Sequence, residues 1–234
     1  MLVTIQQPEN LPWLGLCNKV NRADLFIILD NVQFSKNNFQ NRNRVLGPNG
    51  PEWLTVSIML RGHTESTIAR MKINNTINWS EKHWRTLQQF YSKHPYFAEH
   101  VTFFEETYAR EWEYLADLNV HLIRYLFGEL GIQTPMVKAS ELPVRGTKSE
   151  LLAELCRAVG ATAYLAGLNA QSYLDESEFS KRNIQVIYHL FQHPFYPQRK
   201  SKEFVSHLSC VDLLFNCGPE SLVIITRGTR IDND

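Results

Sequence analysis

The chain has 234 residues, 44% of them hydrophobic and 21% charged, which supplies a sizeable core and excludes a disordered or low-complexity protein. Its 24 Lys and Arg balance 24 Asp and Glu, so net charge gives no reason to expect nucleic acid or an anionic membrane surface as a partner. No apolar run approaches the ~18–20 residues of a membrane helix, and the first fifteen residues lack the basic start and unbroken apolar stretch of a secretory signal; a cytoplasmic protein handling small molecules is the expectation.

In chain order, Leu2 to Ile5 predicts a strand, and Pro12 opens a helix that runs toward Asn21. The run Leu25 to Leu29, bounded by Asp24 and Asp30, predicts a strand buried on both faces. After the polar stretch Asn31 to Arg44, the segments Val45-Leu46 and Trp53 to Ile58 flank a turn built on Asn49-Gly50, a hairpin insertion over residues 42–60. A helical subdomain follows over 80–131. Trp84, Leu87 and Tyr91 recur at helical spacing, Leu115, Leu118, Leu122, Leu126 and Leu130 form a stripe, and breaks fall near Pro95 and Arg110.

Beyond Gly131 the period alternates again: strand at Met136 to Ala139, helix at Thr147 to Val159, strand at Ala161 to Ala166, helix at Ser172 to Arg182, strand at Ile184 to Leu190. Thr147 and Glu150 have capping-box spacing, and Gly160 is placed to stop the helix. Phe204 to Asn216 predicts a further apolar helix, while Leu222 to Ile225 fits helix or strand. The alternation predicts an α/β fold: one domain over 1–234 built on an open, largely parallel Rossmann-like sheet with helices on both faces. The four cysteines form no CxxC and are expected to be buried, reduced thiols.

In such a sheet, ligands sit outside the carboxyl ends of the strands. That rule selects Gln6, Gln7 and Pro8, then Asp30, Asn31 and Gln33, then Ser140, Arg145 and Lys148, then Gly167 and Asn169, and last Gln192 and His193, and predicts that Gln7, Asp30, Arg42 or Arg44, Lys148 and His193 converge in one cleft. Asn41-Arg42-Asn43-Arg44 carries two guanidiniums able to fork onto a phosphate or carboxylate; in an extended segment Arg42 and Arg44 share one face, Asn41 and Asn43 the other. His193-Pro194-Phe195-Tyr196-Pro197-Gln198 predicts a rigid loop offering an imidazole and a phenol. His189 and His193 do not share a helical face, and no metal is expected. Asp212 and Asn216, one turn apart on an apolar helix, are expected to be buried hydrogen-bonding groups. GxGxxG, GxxxxGK[ST] and GxSxG are all missing.

Gln7-Pro8, Pro12-Trp13-Leu14-Gly15, Asp30-x-Val32-Gln33-Phe34, Asn41-Arg42-Asn43-Arg44, His193-Pro194-x-Tyr196-x-Gln198 and Leu208-Ser209-x-x-Asp212-Leu213-Leu214-Phe215-Asn216-x-Gly218 occur in this order. With them, nearly the whole chain resembles the WbqC-like protein family. The resemblance implies a bacterial protein from gene sets for surface polysaccharide, such as O-antigen, or related natural products, working beside enzymes that build unusual amino sugars. It supplies no catalytic residue.

The reading that follows is a transferase moving an acyl or aminoacyl group to an amine, on a nucleotide-linked amino sugar, with an acyl donor or carrier protein as the other partner. Its base would be His193 or Asp30. Its substrate-binding residues would be Gln7, Trp13, Gln33, Asn41, Arg42, Asn43, Arg44, Lys148, Asn169, Tyr196 and Gln198. The cofactor stays open. Two alternatives stand beside it: a nucleotide-activating enzyme related to the nucleotidylyltransferases, which would need a divalent metal, and a non-catalytic binding module of a biosynthetic complex.

Overall fold

β-Branched and aliphatic residues make β1 (Leu2–Gln6) a strand buried at Val3, Thr4 and Ile5, and Pro8 and Pro12 break the chain before α1 (Leu14–Asn21) returns it to β2 (Leu25–Ile28). The helix starts two residues later than Pro12 suggested, with Trp13 as its cap. The structure is a computed structural model that describes residues 1–59, 66–199, 201 and 203–227. β3 (Arg42–Gly47) and β4 (Gly50–Thr55) pair antiparallel, with Gly47 opposite Gly50; the end of the expected hairpin, residue 60, lies outside the described residues. Gly50 has φ +116°, a conformation that only glycine adopts freely.

The middle of the chain forms α2 (Trp79–Tyr91), α3 (Phe97–Ala109) and α4 (Leu115–Glu129), with the breaks near Pro95 and Arg110 where the sequence places them. β5 (Met136–Lys138), α5 (Lys148–Ala158), β6 (Ala163–Gly167), the short α6 (Ser177–Ser180) and β7 (Gln185–His189) follow, then α7 (Cys210–Cys217) and α8 (Ser221–Arg227).

Five strands form one sheet in the order β5-β2-β1-β6-β7, and every pair is parallel. Phe26 and Ile28 face a large core shared with α1, α4 and α7, whereas Val3, Ile5 and Ile27 face a smaller one against α5. The strand alternation therefore feeds two helical layers, as the doubly apolar runs required.

Three local expectations differ. The stretch expected as one helix over Ser172 to Arg182 holds only α6, after a 3-10 turn at Leu168–Ser172. The helix expected from Phe204 begins at Cys210, because Ser209 N–H donates to the Arg44 carbonyl at 2.8 Å and His207 has φ +60°, so this stretch is drawn out beside β3. Thr147 caps α5 without a side-chain bond, so the capping box is not made, whereas Gly160, at φ +75°, follows that helix as expected.

Candidate functional site

From β1 the chain moves outward through β2 to β5, then crosses to the other side of β1 for β6 and β7. The direction of winding therefore reverses between β1 and β6, where an open α/β sheet parts its loops and leaves a crevice. A cleft of about 740 Å³ occupies that place. Its walls are Gln6 and Gln7 at the end of β1, Gly167 to Ala170 at the end of β6, His189 and Phe191 at the end of β7, Leu29 just past β2, and Gly15, Leu16 and Lys19 from α1.

Two charged side chains are buried in its floor. Glu9, only 4% exposed, leaves Oε2 without a partner among the described residues, and burial pushes its carboxyl up to about 7, against the opposing pull of Lys19 and of the Trp13 backbone N–H. Lys19 is also 4% exposed. Its Nζ donates to Gln6 Oε1 at 2.7 Å and approaches the Ile5 carbonyl at 3.5 Å, and burial lowers the ammonium to about 8 while Glu9 opposes the shift. His189 Nε2 meets Asn18 Oδ1 at 2.6 Å. Asn18 Nδ2 donates to the Ile225 carbonyl, so the Asn18 oxygen accepts from the imidazole. Burial, with Lys19 and Arg22 nearby, depresses His189 to about 4 and keeps it neutral.

Above the floor the cleft is aromatic. The Trp13 indole stacks on His207 (centroids 5.7 Å) and meets Phe191 edge-on at 5.6 Å. Gly15 makes room for it, since a Cβ there would lie 2.1 Å from the indole. Tyr173 is 71% exposed. On the outer rim Phe39 packs beside Trp53, whose ring carries Arg42 at 4.3 Å and Arg44 at 5.7 Å. Arg44 Nη2 donates to the carbonyl of His207, a lining residue, and Arg42 Nη2 donates to that of Asn37, next to the lining residue Asn38. The mouth thus combines flat π-faces with two cations, and the floor a poised acid and amine.

The WbqC-like protein family model matches residues 7–224. The chain belongs to the WbqC-like protein family. It is also 34% identical over 222 residues, covering 94% of this chain and 95% of the other, to the uncharacterized protein Rv1507c of Mycobacterium tuberculosis (strain ATCC 25618 / H37Rv). No solved structure matches it.

In this WbqC-like chain, three of the substrate-binding residues named from the sequence line the cleft, Gln7, Trp13 and Asn169, together with Gln6 and Gly167 from the strand ends. Gln7 Oε1 accepts from Gln40 Nε2 at 2.7 Å. Arg42 and Arg44 stand at the rim on one face of β3, as the extended geometry required, while Asn41 and Asn43 turn inward to the carbonyls of Val56 and Leu11. Lys148 is exposed at the start of α5, one turn before the lining residue Leu152.

Of Gln7, Asp30, Lys148 and His193, expected to converge, Gln7 alone is among the lining residues. Asp30 is 2% exposed and gives both carboxylate oxygens to Ser140, at 2.9 Å from its N–H and 2.6 Å from its hydroxyl. His193 sits one layer back, 5.9 Å from Phe191 and 5.4 Å from His207, with Nδ1 on the Pro194 carbonyl. Gln33 bridges to Thr67 away from the cleft. Tyr196 and Gln198 turn to Asp212, at 2.9 and 3.1 Å, which makes Asp212 the buried hydrogen-bonding group expected of it. Strand ends deliver loops to one edge, but a loop's side chains can turn inward as easily as toward the crevice.

Glu9, Lys19 and His189 are residues that strand ends alone did not select. One signal was present: Lys19 is the lone charge within the otherwise apolar Leu14 to Val20 run broken only by Asn18, and such a residue needs a buried partner.

Proposed function

We propose that this WbqC-like protein is a transferase that moves an acyl or aminoacyl group onto the amine of a nucleotide-linked amino sugar, in the building of bacterial surface polysaccharide or a related natural product. The observation that carries the reading is the Glu9 carboxyl, whose Oε2 has no partner among the described residues, near Lys19 in the floor of the switch-point cleft. An acid held near neutrality suits removal of a proton from an attacking amine, a role worth about two to four powers of ten in rate. The family membership and the aromatic, cationic mouth support the same substrate: Trp53 and Phe39 offer stacking surface for a base, and Arg42 and Arg44 suit its phosphates.

In the transfer, the amine lone pair forms a C–N bond to the acyl carbon, Glu9 takes the amine proton, and the leaving group departs with the electron pair of its own bond to carbon. Lys19, kept ammonium by Glu9, stabilises the negative charge that gathers on the carbonyl oxygen. Gln7 and Asn169 orient the acceptor with their amides. The base is thus Glu9 rather than Asp30, whose oxygens are engaged by Ser140, or His193, which stands behind the lining.

Calorimetric titration with a nucleotide-linked amino sugar, and mass spectrometry of that sugar after incubation with activated acyl and aminoacyl donors, test the reading. Binding, and transfer that falls about a hundredfold in Glu9→Gln while His193→Ala stays within about tenfold, are expected. Absence of nucleotide-sugar binding, or full turnover by Glu9→Gln, overturns it; binding without transfer to any donor would make the protein a binding module instead.

A further inference from the structure

On the other side of the β2 end lies a second cleft, of about 600 Å³, whose lining includes Asn31, Ser66, Thr67, Arg70 and Ser140. Its two walls come from distant parts of the chain and are clasped by one buried residue. The Asp30 carboxylate accepts from the N–H and hydroxyl of Ser140, at 2.9 and 2.6 Å, which fixes the turn after β5. The Asp30 carbonyl accepts from the Ala69 N–H at 2.8 Å, which fixes the 3-10 turn Ile68–Arg70. Two further backbone bonds, Ile68 N–H to Val32 and Phe34 N–H to Ser66, hold that turn against the extension of β2.

A cleft held this way is set before any ligand arrives, the condition under which polar groups recognise rather than reorganise. Arg70 is exposed, and its guanidinium has no hydrogen-bond or ion-pair partner among the described residues. The fork geometry of this exposed guanidinium, beside the Thr67 hydroxyl in the same lining, suits a planar carboxylate or a phosphate. Leu29 lines the first cleft and Asn31 the second, a separation of about 7 Å along an extended chain.

We infer that the second cleft binds the oxyanion group of a second small substrate, carboxylate or phosphate, with Arg70 as its cation and Asp30 as the positioning residue that shapes the walls. Its place as the donor site rests on the transferase reading; the anion site itself does not. The two reactants of the transfer would then lie on either side of the β2 end.

Backbone amide NMR of the full chain, titrated separately with acetate, glycine and inorganic phosphate against chloride at constant ionic strength, tests this. Saturable shifts at Thr67 to Arg70 and at Ala139 and Ser140 are expected, weakened about tenfold or more in Arg70→Ala and less in Arg70→Lys. A response to acetate and glycine alone identifies a carboxylate ligand, and to phosphate alone a phosphorylated one. Equal affinity in wild type and Arg70→Ala, no saturable shift with any of the three, or shifts confined to Gly15, Lys19 and Gly167 would overturn the inference. Anion binding here without nucleotide-sugar binding in the first cleft would retire the transferase reading and leave this site standing; the reverse would retire this site alone.

Discussion

Lys19 Nζ donates to Gln6 Oε1 at 2.7 Å from within α1, which puts a buried ammonium at the carboxyl end of the central strand and beside the Glu9 carboxyl. The pair makes stability depend on pH in two opposite limbs. Glu9 has its folded value raised from 4.5 to about 7. The native state therefore holds more protons than the unfolded chain between those values, and the contribution is full below 4.5 and lost as pH rises through 7. Lys19, lowered from 10.5 to about 8, contributes stability that is present above 10.5 and lost as pH falls through 8. Glu9→Gln should remove the first limb: the stability of the variant relative to wild type should be higher at pH 8 than at pH 5 by about 3 kcal/mol. Urea unfolding at the two pH values measures it, and an unchanged difference would mean that Glu9 is ionised throughout.

Asp212 is fully buried and gathers Tyr91 and Tyr196 at 2.9 Å each, with Gln198 at 3.1 Å. Tyr91 does more, since its oxygen also accepts the Leu46 N–H of β3 at 2.8 Å. Tyr196→Phe should cost about 1.5–3 kcal/mol, the worth of a hydrogen bond to a charged group, and Tyr91→Phe more, because it also leaves a buried backbone N–H unpaired. Equal losses in denaturant unfolding would show that the Leu46 N–H finds another acceptor.

Arg42 and Arg44 are half-buried on the Trp53 ring, and among the described residues their guanidiniums bond to backbone carbonyls, of Asn37 and His207. Arg42→Ala and Arg44→Ala should each weaken nucleotide-sugar binding by about 1–2 kcal/mol, less than for buried charged bonds, while shifting stability by about 0.5 kcal/mol or less. Trp53→Ala, by removing the surface on which both rest, should lower affinity at least as much as either. Binding unaltered by all three, in calorimetry, would put the phosphates elsewhere.

Cys17, Cys156, Cys210 and Cys217 are free and buried. Burial pushes the thiols of Cys156 and Cys217 up, to about 12 and about 11, which suppresses the reactive thiolate. Native protein should leave all four unreacted toward a thiol reagent over minutes and expose all four on unfolding, and reductant should leave the melting temperature unchanged. A rapidly titrating thiol in the native state would contradict that picture.

The strand and helix alternation, the parallel sheet, the hairpin and the sharing of one face by Arg42 and Arg44 were legible in the amino-acid order, because each depends on periodicity or turn chemistry within a few residues. The same order pointed to the sheet edge where Gln7, Trp13 and Asn169 line one cleft. Which polar loop residues turn toward the crevice was not legible there. Asp30 and Lys148 leave the same edge as Gln7, yet Asp30 turns to Ser140, 110 residues away in sequence, and Lys148 stays exposed. Packing between distant segments puts Glu9 and Lys19 in one desolvated floor, and it draws out the stretch before Cys210, where the Ser209 N–H finds the Arg44 carbonyl and the Cys210 N–H that of Pro12. Burial and long-range pairing set both outcomes, and they come from contacts between segments far apart in the chain.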